Sequence, residues 1–191
     1  MSFLLVKPAR RVRGRISLLG DKSIACRSII ISAISRGKTT LKNFPANKDC
    51  LYAIKVFKKL GIKITQNSIS RLSLPKISYQ QHKVVRTVTV FGQGLHGLKK
   101  PKGPIFVGDS GTLLRLILGV LAGQNFRVTL TAGKSLSQRP MLRITAPLRM
   151  MGAQISSRFP ASPAGRQVPG SKIREEYPPI TIQGGNLKPI T

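Results

Sequence analysis

Three side-chain donors crowd one short stretch of this sequence: in LLGDKSIACRSIII, residues 18–31, Lys22, Ser23 and Arg27 surround what reads as the first turn of a helix. A Gly-Asp turn delivered there by a strand leaves backbone N–H groups unpaired at the helix start, where the dipole also favours an anion. Ser23 and Arg27 are i, i+4 neighbours, so hydroxyl and guanidinium share one face with Lys22 at its rim. One phosphate or carboxylate can receive all three. The simpler alternative has Ser23 capping the helix and both cations solvated. A Walker loop is excluded, because its upstream glycines are missing.

A second turn of the same kind occurs at GDSGTLLR, residues 108–115. Two glycines flanking a turn let a ligand approach the backbone closely, while Ser110 or Thr112 could equally be a plain N-cap. In SLSQRPM, residues 135–141, Arg139 precedes Pro140 at another helix start, a placement suited to a carboxylate or phosphate. By contrast GQGLHG, residues 92–97, satisfies G-x-G-x-x-G only formally. The prolines of LKKPKGPIF leave no helix to follow it, and no acid stands some 20 residues on, so a strand-to-turn reading is preferred.

Other chemistries are missing. Five scattered acids (Asp21, Asp49, Asp109, Glu175, Glu176) offer neither a carboxylate pair nor a Ser/His/acid triad. Cys26, Cys50, His82 and His96 have no zinc spacing, and two cysteines make no disulfide framework. Cys26 reads as a small apolar helix residue, and cysteine usage suits a reducing, cytoplasmic setting. No metal and no cofactor is expected.

Charge is the anomaly. The 191 residues carry 33 Lys and Arg, a formal +28, with no acid between Cys50 and Gly108. An anionic partner is implied, and a basic nucleic-acid-binding protein is the competing class, undercut by 5% aromatics and no recognisable binding module. An inactive, degraded fragment is a third possibility. The Arg-rich N-terminus has some transit-peptide character, but the basic composition simply continues beyond it. No apolar run approaches a membrane span, so a soluble chain is expected.

The elements that position these turns alternate. Strands are expected at 3–6, 12–19 and 39–44, then in IKIT and at 84–91. Helices are expected from Ser23 to Ser35, closed by Gly37, and after an Asn47 N-cap to a stop at Gly61. The second half repeats the grammar with strand IFV, helix 112–122, strand FRVTLT, helix 141–151 and strand AQI. Pro140 suits the first turn of its helix, whereas Pro147 inside it predicts a kink or break. A Pro/Gly/Ser loop over 156–172 then leads to the strand YPPITIQGG. Gly20-Asp21 and Gly108-Asp109 lie 88 residues apart and Gly61 and Gly152 lie 91 apart, which points to a duplicated βαβα unit with trailing strands.

Taken in order, GDKSIACRS, GDSGTLLRLILGVLAGQ, LTAGKSLSQRPM and PLRMMGAQI, with GQGLHGLKKP and YPPITIQGGNLKPI, resemble 5-enolpyruvylshikimate-3-phosphate synthase from about Leu18 to Thr191. The resemblance implies an α/β fold of repeated βαβαββ units, of the inverse α/β barrel type. It also implies transfer of the enolpyruvyl group of phosphoenolpyruvate to the 5-hydroxyl of shikimate 3-phosphate, on the route to chorismate and aromatic amino acids. Under it Lys22 touches both substrates, Ser23 and Arg27 hold shikimate 3-phosphate, and Gly111, Thr112 and Arg139 join Lys22 around phosphoenolpyruvate. Residues 1–19 are then strands of the family's second domain, and 20–191 the first two units of its N-terminal domain. The third unit, the proton-transferring acids and further basic clamps fall beyond Thr191. A cytoplasmic monomer, incomplete as a catalyst by itself, is what that resemblance implies.

Several positions depart from the family pattern. Asp109 stands where Asn is usual, Ala25-Cys26 replaces Ser-His, Asn47-Lys48 replaces Ser-Glu or Ser-Asp, and Ala132-Gly133-Lys134 replaces Gly-Asp-Glu. A negative Asp109 beside a phosphoenolpyruvate site is expected to weaken anion binding.

Overall fold

Local chemistry sets three of the helix starts in this protein. In the structure, a computed structural model, Asp21 accepts the Ile24 amide at 2.7 Å, Asn47 the Cys50 amide at 3.0 Å and Ser110 the Leu113 amide at 3.4 Å. Each satisfies an amide that the first turn leaves orphaned. The helices are α1 (Lys22–Ile34), α2 (Lys48–Lys59), α3 (Gly111–Ala122) and α4 (Leu142–Met150). The structure describes residues 20–68, 86–158 and 175–190, together with Leu5, Pro8, Arg11, Arg13 and Gly14. Apart from Leu5, Arg13 and Gly14, the strands expected at 3–6 and 12–19 lie outside that set, as do residues 159–172 of the expected loop.

The strands are β1 (Arg36–Phe44), β2 (Lys63–Ser68), β3 (Arg86–Gln93), β4 (Ile105–Phe106), β5 (Arg127–Thr131), β6 (Gln154–Arg158) and β7 (Tyr177–Gln183). One sheet has the order β1-β3-β2, both pairings antiparallel. The other has the order β4-β5-β7-β6, with β4 and β5 parallel and the rest antiparallel. Without β4, the second sheet repeats the first. The duplication legible in the sequence is therefore a duplication of strand order and direction.

Finer details repeat as well. Gly61 and Gly152 both have positive φ (89° and 104°), and each closes its helix by donating to the carbonyl three residues back. That conformation is costly for any side chain with a β-carbon. Lys99 then donates to Leu60 O and Lys188 to Met151 O, both at 2.8 Å, so the chain after the last strand of each unit returns to the end of that unit's second helix. A β-carbon on Gly184 would lie 2.3 Å from the carbonyl oxygens of Leu121 and Gln124. Gly184→Ala is accordingly expected to lower stability by about 3 kcal/mol, because backbone atoms must move. Urea unfolding checks this, and an unchanged midpoint would refute the close approach.

Both units share one core. Ile29 of α1, Ile54 and Phe57 of α2, and Leu113, Leu114, Ile117, Leu118 and Leu121 of α3 are fully or almost fully buried in a single cluster with Val88, Val90, Leu130, Ile180 and Ile182 from the sheets. β1 buries little besides Phe44.

Four local expectations change. Gly37 does not close α1: Ser35 does, its amide and hydroxyl both donating to Ile31 O, while Gly37 lies inside β1. Pro140 falls before the N-cap Met141 and not in the first turn. Pro147 does not break α4, which continues to Met150; its missing N–H falls in a nine-residue helix held by packing of Thr145 and Leu148. Ser156, Ser157 and Arg158, expected in a loop, belong to β6.

Candidate functional site

The first two turns of α2 reach both of the turns expected to bind anions, through Lys22 at one and Gly108 at the other. Asp49 and Tyr52, three residues apart, occupy one face of that helix. Asp49 pairs with Lys22 Nζ at 3.0 Å. Tyr52 lies under the second turn: a β-carbon on Gly108, whose φ is +66°, would meet the ring at 2.5 Å. Only glycine fits both the conformation and the contact. Tyr52 is fixed in turn by an edge-on contact with Phe106, ring centroids 5.4 Å apart at 82°. Thus α2 brings the start of α1 and the start of α3 to the same end of the helical layer, and α1 also packs on α3.

At α1, Asp21 takes the capping role, so the Ser23 hydroxyl is not needed for it. This removes the simpler reading of Ser23. Arg27 Nη1 donates to the Ser23 carbonyl at 3.1 Å, which holds the exposed guanidinium along the Ser23 face. Lys22 is half exposed, and its hydrogen bond to Asp49, with the attraction of that carboxylate, raises its pKa above the ordinary lysine value. The ammonium is therefore charged at neutral pH. An incoming anion must share Lys22 with Asp49.

At α3, a β-carbon on Gly111 would lie 3.5 Å from Arg139 Nη1 and 3.6 Å from Arg115 Nη1. Two guanidinium groups thus flank the first residue of the helix, where amides are unpaired and Thr112 is half-buried. Arg139 ends a short 3-10 turn, Leu136–Gln138, and donates to Ser135 Oγ at 3.3 Å. Arg115 reaches Pro140 O at 3.5 Å. Sequence reasoning missed Arg115, although its i+4 spacing from Gly111 was the available signal. It also missed Asp49, whose role depends on a contact 27 residues away.

Asp109 has a role that its sequence position does not disclose. Its Oδ1 accepts the Leu136 amide at 2.8 Å, and a β-carbon on Gly133 would meet the carboxylate at 2.5 Å. Gly133 itself donates to Gly108 O at 2.8 Å. The carboxylate therefore ties the loop carrying Arg139 to the α3 turn, so Asp109 positions Arg139 as well as adding a negative charge. Gly133 is the residue that makes room for it.

The remaining motif resolves simply. Gly92 and Gln93 end β3 and residues 94–97 form a turn without a helix, so GQGLHG lacks the helix N-terminus that a dinucleotide pyrophosphate requires. Among the described residues no group of three or more His, Cys, Asp or Glu is placed to hold a metal ion.

Comparison with known proteins assigns these two helix starts to a lineage. The family model of EPSP synthase (3-phosphoshikimate 1-carboxyvinyltransferase) matches residues 6–175. This chain belongs to the EPSP synthase family. It is 40% identical over 179 residues to the 3-phosphoshikimate 1-carboxyvinyltransferase of Bacillus licheniformis, covering 94% of this chain and 35% of that protein. The Lactiplantibacillus plantarum protein of the same name is 40% identical over 172 residues, covering 88% and 36%. The EPSP synthase structure from Acinetobacter baumannii aligns with a TM-score of 0.69 at 37% identity, over 93% of this chain and 33% of that one. The chain thus spans about a third of the length of these relatives. The fold is the α/β enolpyruvyl transferase fold.

Proposed function

We propose that this chain supplies the anion-holding face of an EPSP synthase, acting in the cytoplasm in the transfer of the enolpyruvyl group from phosphoenolpyruvate to shikimate 3-phosphate with release of phosphate. Residues 20–191 are then the first two units of the N-terminal domain. The observation that carries the reading is the meeting of two basic helix starts on one face of α2. A reaction between two anionic substrates needs two such clamps side by side, so that reacting groups are held at near-attack distance.

In this reading Ser23 and Arg27 hold shikimate 3-phosphate, and Lys22 bridges both substrates as a point charge. Gly111 offers its backbone to phosphoenolpyruvate, Thr112 stands beside it, and Arg139 contributes a planar two-pronged donor. Asp21, Asp49, Asp109 and Glu176 are each engaged in a cap, an ion pair or a loop tether. The chain's part is therefore binding and orientation, with proton transfer assigned to groups outside these residues.

Calorimetric titration with shikimate 3-phosphate tests this. The chain is expected to bind it, and Arg27→Ala to weaken binding about tenfold or more, as for loss of a charge-assisted hydrogen bond. Arg27 is exposed and, among the described residues, its side chain bonds only the Ser23 carbonyl, so the fold should survive the change. Saturable binding that ignores Arg27, or no binding at all, would refute the assignment.

A further inference from the structure

Every exposed residue of α2 is a lysine, and three of them stand at the end of the helix away from the candidate site. Lys55, Lys58 and Lys59 share the solvent face at i, i+3 and i+4 spacing. Lys59 lies about 15 Å along the helix from Asp49. The chain after β3 adds to the same end. Lys99 donates its amide to Leu60 O at 2.8 Å, and its side chain lies over Gly61, where a β-carbon would meet Lys99 Cδ at 2.9 Å. Lys102 then joins Lys59 in lining one cavity of about 350 Å³, with Pro101, Gly103 and Pro104. No acid neutralises these charges. Among the described residues the ion pairs are Lys22–Asp49 and Arg149–Glu176, and the sequence has no acid between Cys50 and Gly108. The negative end of the helix dipole accounts for Lys58 and Lys59, whereas Lys55 lies a turn earlier and Lys99 and Lys102 come from another segment. Gathering like charges on one surface costs repulsion, which a polyanion relieves.

We propose that this surface binds double-stranded nucleic acid through its phosphates, without reading sequence. A lysine ammonium is a compact point charge, and contacts of that kind position a duplex without specifying bases. Lys59 and Lys102 hold one phosphate between them at the cavity, while Lys55, Lys58 and Lys99 meet its neighbours along the backbone. A single strand needs aromatic platforms on which its bases stack, and among the described residues Phe106, edge-on to Tyr52, is the one large exposed aromatic. A membrane needs an apolar stripe to take up, and the exposed positions of α2 supply none. The surface is separate from the turns that hold small anions, so both can be occupied at once.

Fluorescence anisotropy of labelled DNA and RNA duplexes of about 20 base pairs, titrated with the full chain, tests this. Either duplex bound supports the surface, and the tighter one names the natural partner. Raising salt from about 50 to 200 mM should weaken binding roughly a hundredfold to a thousandfold, as for about four or five phosphates. Lys55→Glu, Lys59→Glu and Lys102→Glu together should lower the salt slope by about three and weaken binding about thirtyfold or more. The charge-matched set Lys38→Glu, Arg127→Glu and Arg143→Glu, exposed on β1, β5 and α4, should weaken it far less. Equal losses in the two sets would overturn the proposal, because binding would then follow net charge and not this surface. So would a wild-type chain that binds neither duplex at low salt, displacement of the duplex by saturating shikimate 3-phosphate, or binding to phosphatidylserine vesicles with none to the duplexes. The wild-type salt slope decides even if a variant does not fold, since a slope near zero excludes phosphate contacts.

Discussion

Replacing Arg149 by Ala is expected to destabilise the chain by about 3–5 kcal/mol, among the largest effects of any single substitution here. Glu176 is 3% exposed, and its two oxygens accept from Arg149 Nη1 and Nη2, the latter at 3.0 Å, with Ser157 Oγ adding a third bond at 2.9 Å. The same guanidinium donates to Ile155 O at 3.0 and 3.1 Å, so it joins α4 to β6 while pairing with the residue before β7. Removing it leaves a buried carboxylate with no charged donor, and the desolvation of that charge is then largely uncompensated. Denaturant unfolding checks the size, and 0.5 M salt should change little because the pair is shielded. A loss below about 1 kcal/mol would mean that water reaches Glu176 when the arginine goes.

The same group sets an acid limit. Burial pushes the Glu176 pKa up, but bonds from Arg149, Thr145 and Ser157 outweigh it and hold the carboxyl below its ordinary value. A depressed folded pKa contributes stability that is present above the unfolded value and is lost as pH falls through the folded one. The chain should therefore lose stability on acidification from the ordinary glutamate range downward. Glu176→Gln should flatten that dependence, which unfolding at stepped pH would reveal.

Much of this architecture is legible in the sequence because the signals are local. Asn47, Ser110 and the positive-φ glycines at 61 and 152 announce helix ends through side-chain and backbone geometry within four residues. The two Gly-Asp turns are visible for the same reason. What the sequence hides is non-local. Whether Asp21 or Ser23 caps α1 depends on where the helix begins, and it begins at Lys22 with Asp21 accepting the Ile24 amide. The roles of Asp49 and Asp109 depend on partners 27 residues away in each case, Lys22 and Leu136. Asp109 reads as a charge facing a ligand, yet a glycine at 133 lets the carboxylate turn towards a backbone amide. Pro147 shows the opposite limit, since an intrinsic helix breaker is overridden by burial on either side of it.

Arg139→Ala should weaken phosphoenolpyruvate binding by roughly tenfold to a hundredfold while leaving stability almost unchanged, and Asp109→Asn should move binding in the other direction. The two predictions separate what the proposed site asks of each residue. Arg139 is exposed and, among the described residues, its one side-chain partner is Ser135 Oγ, so the free chain loses little when it is cut back. A bound carboxylate or phosphate loses a paired, charge-assisted contact, worth about 1.5–3 kcal/mol. Asp109 does two things at once: its oxygen anchors Leu136, and its charge opposes an anion at the α3 start. Asparagine keeps an acceptor oxygen for the Leu136 amide and removes only the charge. If the loop is the essential part, affinity should rise about threefold to tenfold as the repulsion disappears, and the gain should shrink in high salt. Asp109→Ala should lose that gain, because Leu136 is released and Arg139 with it. Equal affinities for the Asn and Ala variants would show that the tether does not position Arg139, and a weaker Asn variant would show that the carboxylate itself is needed.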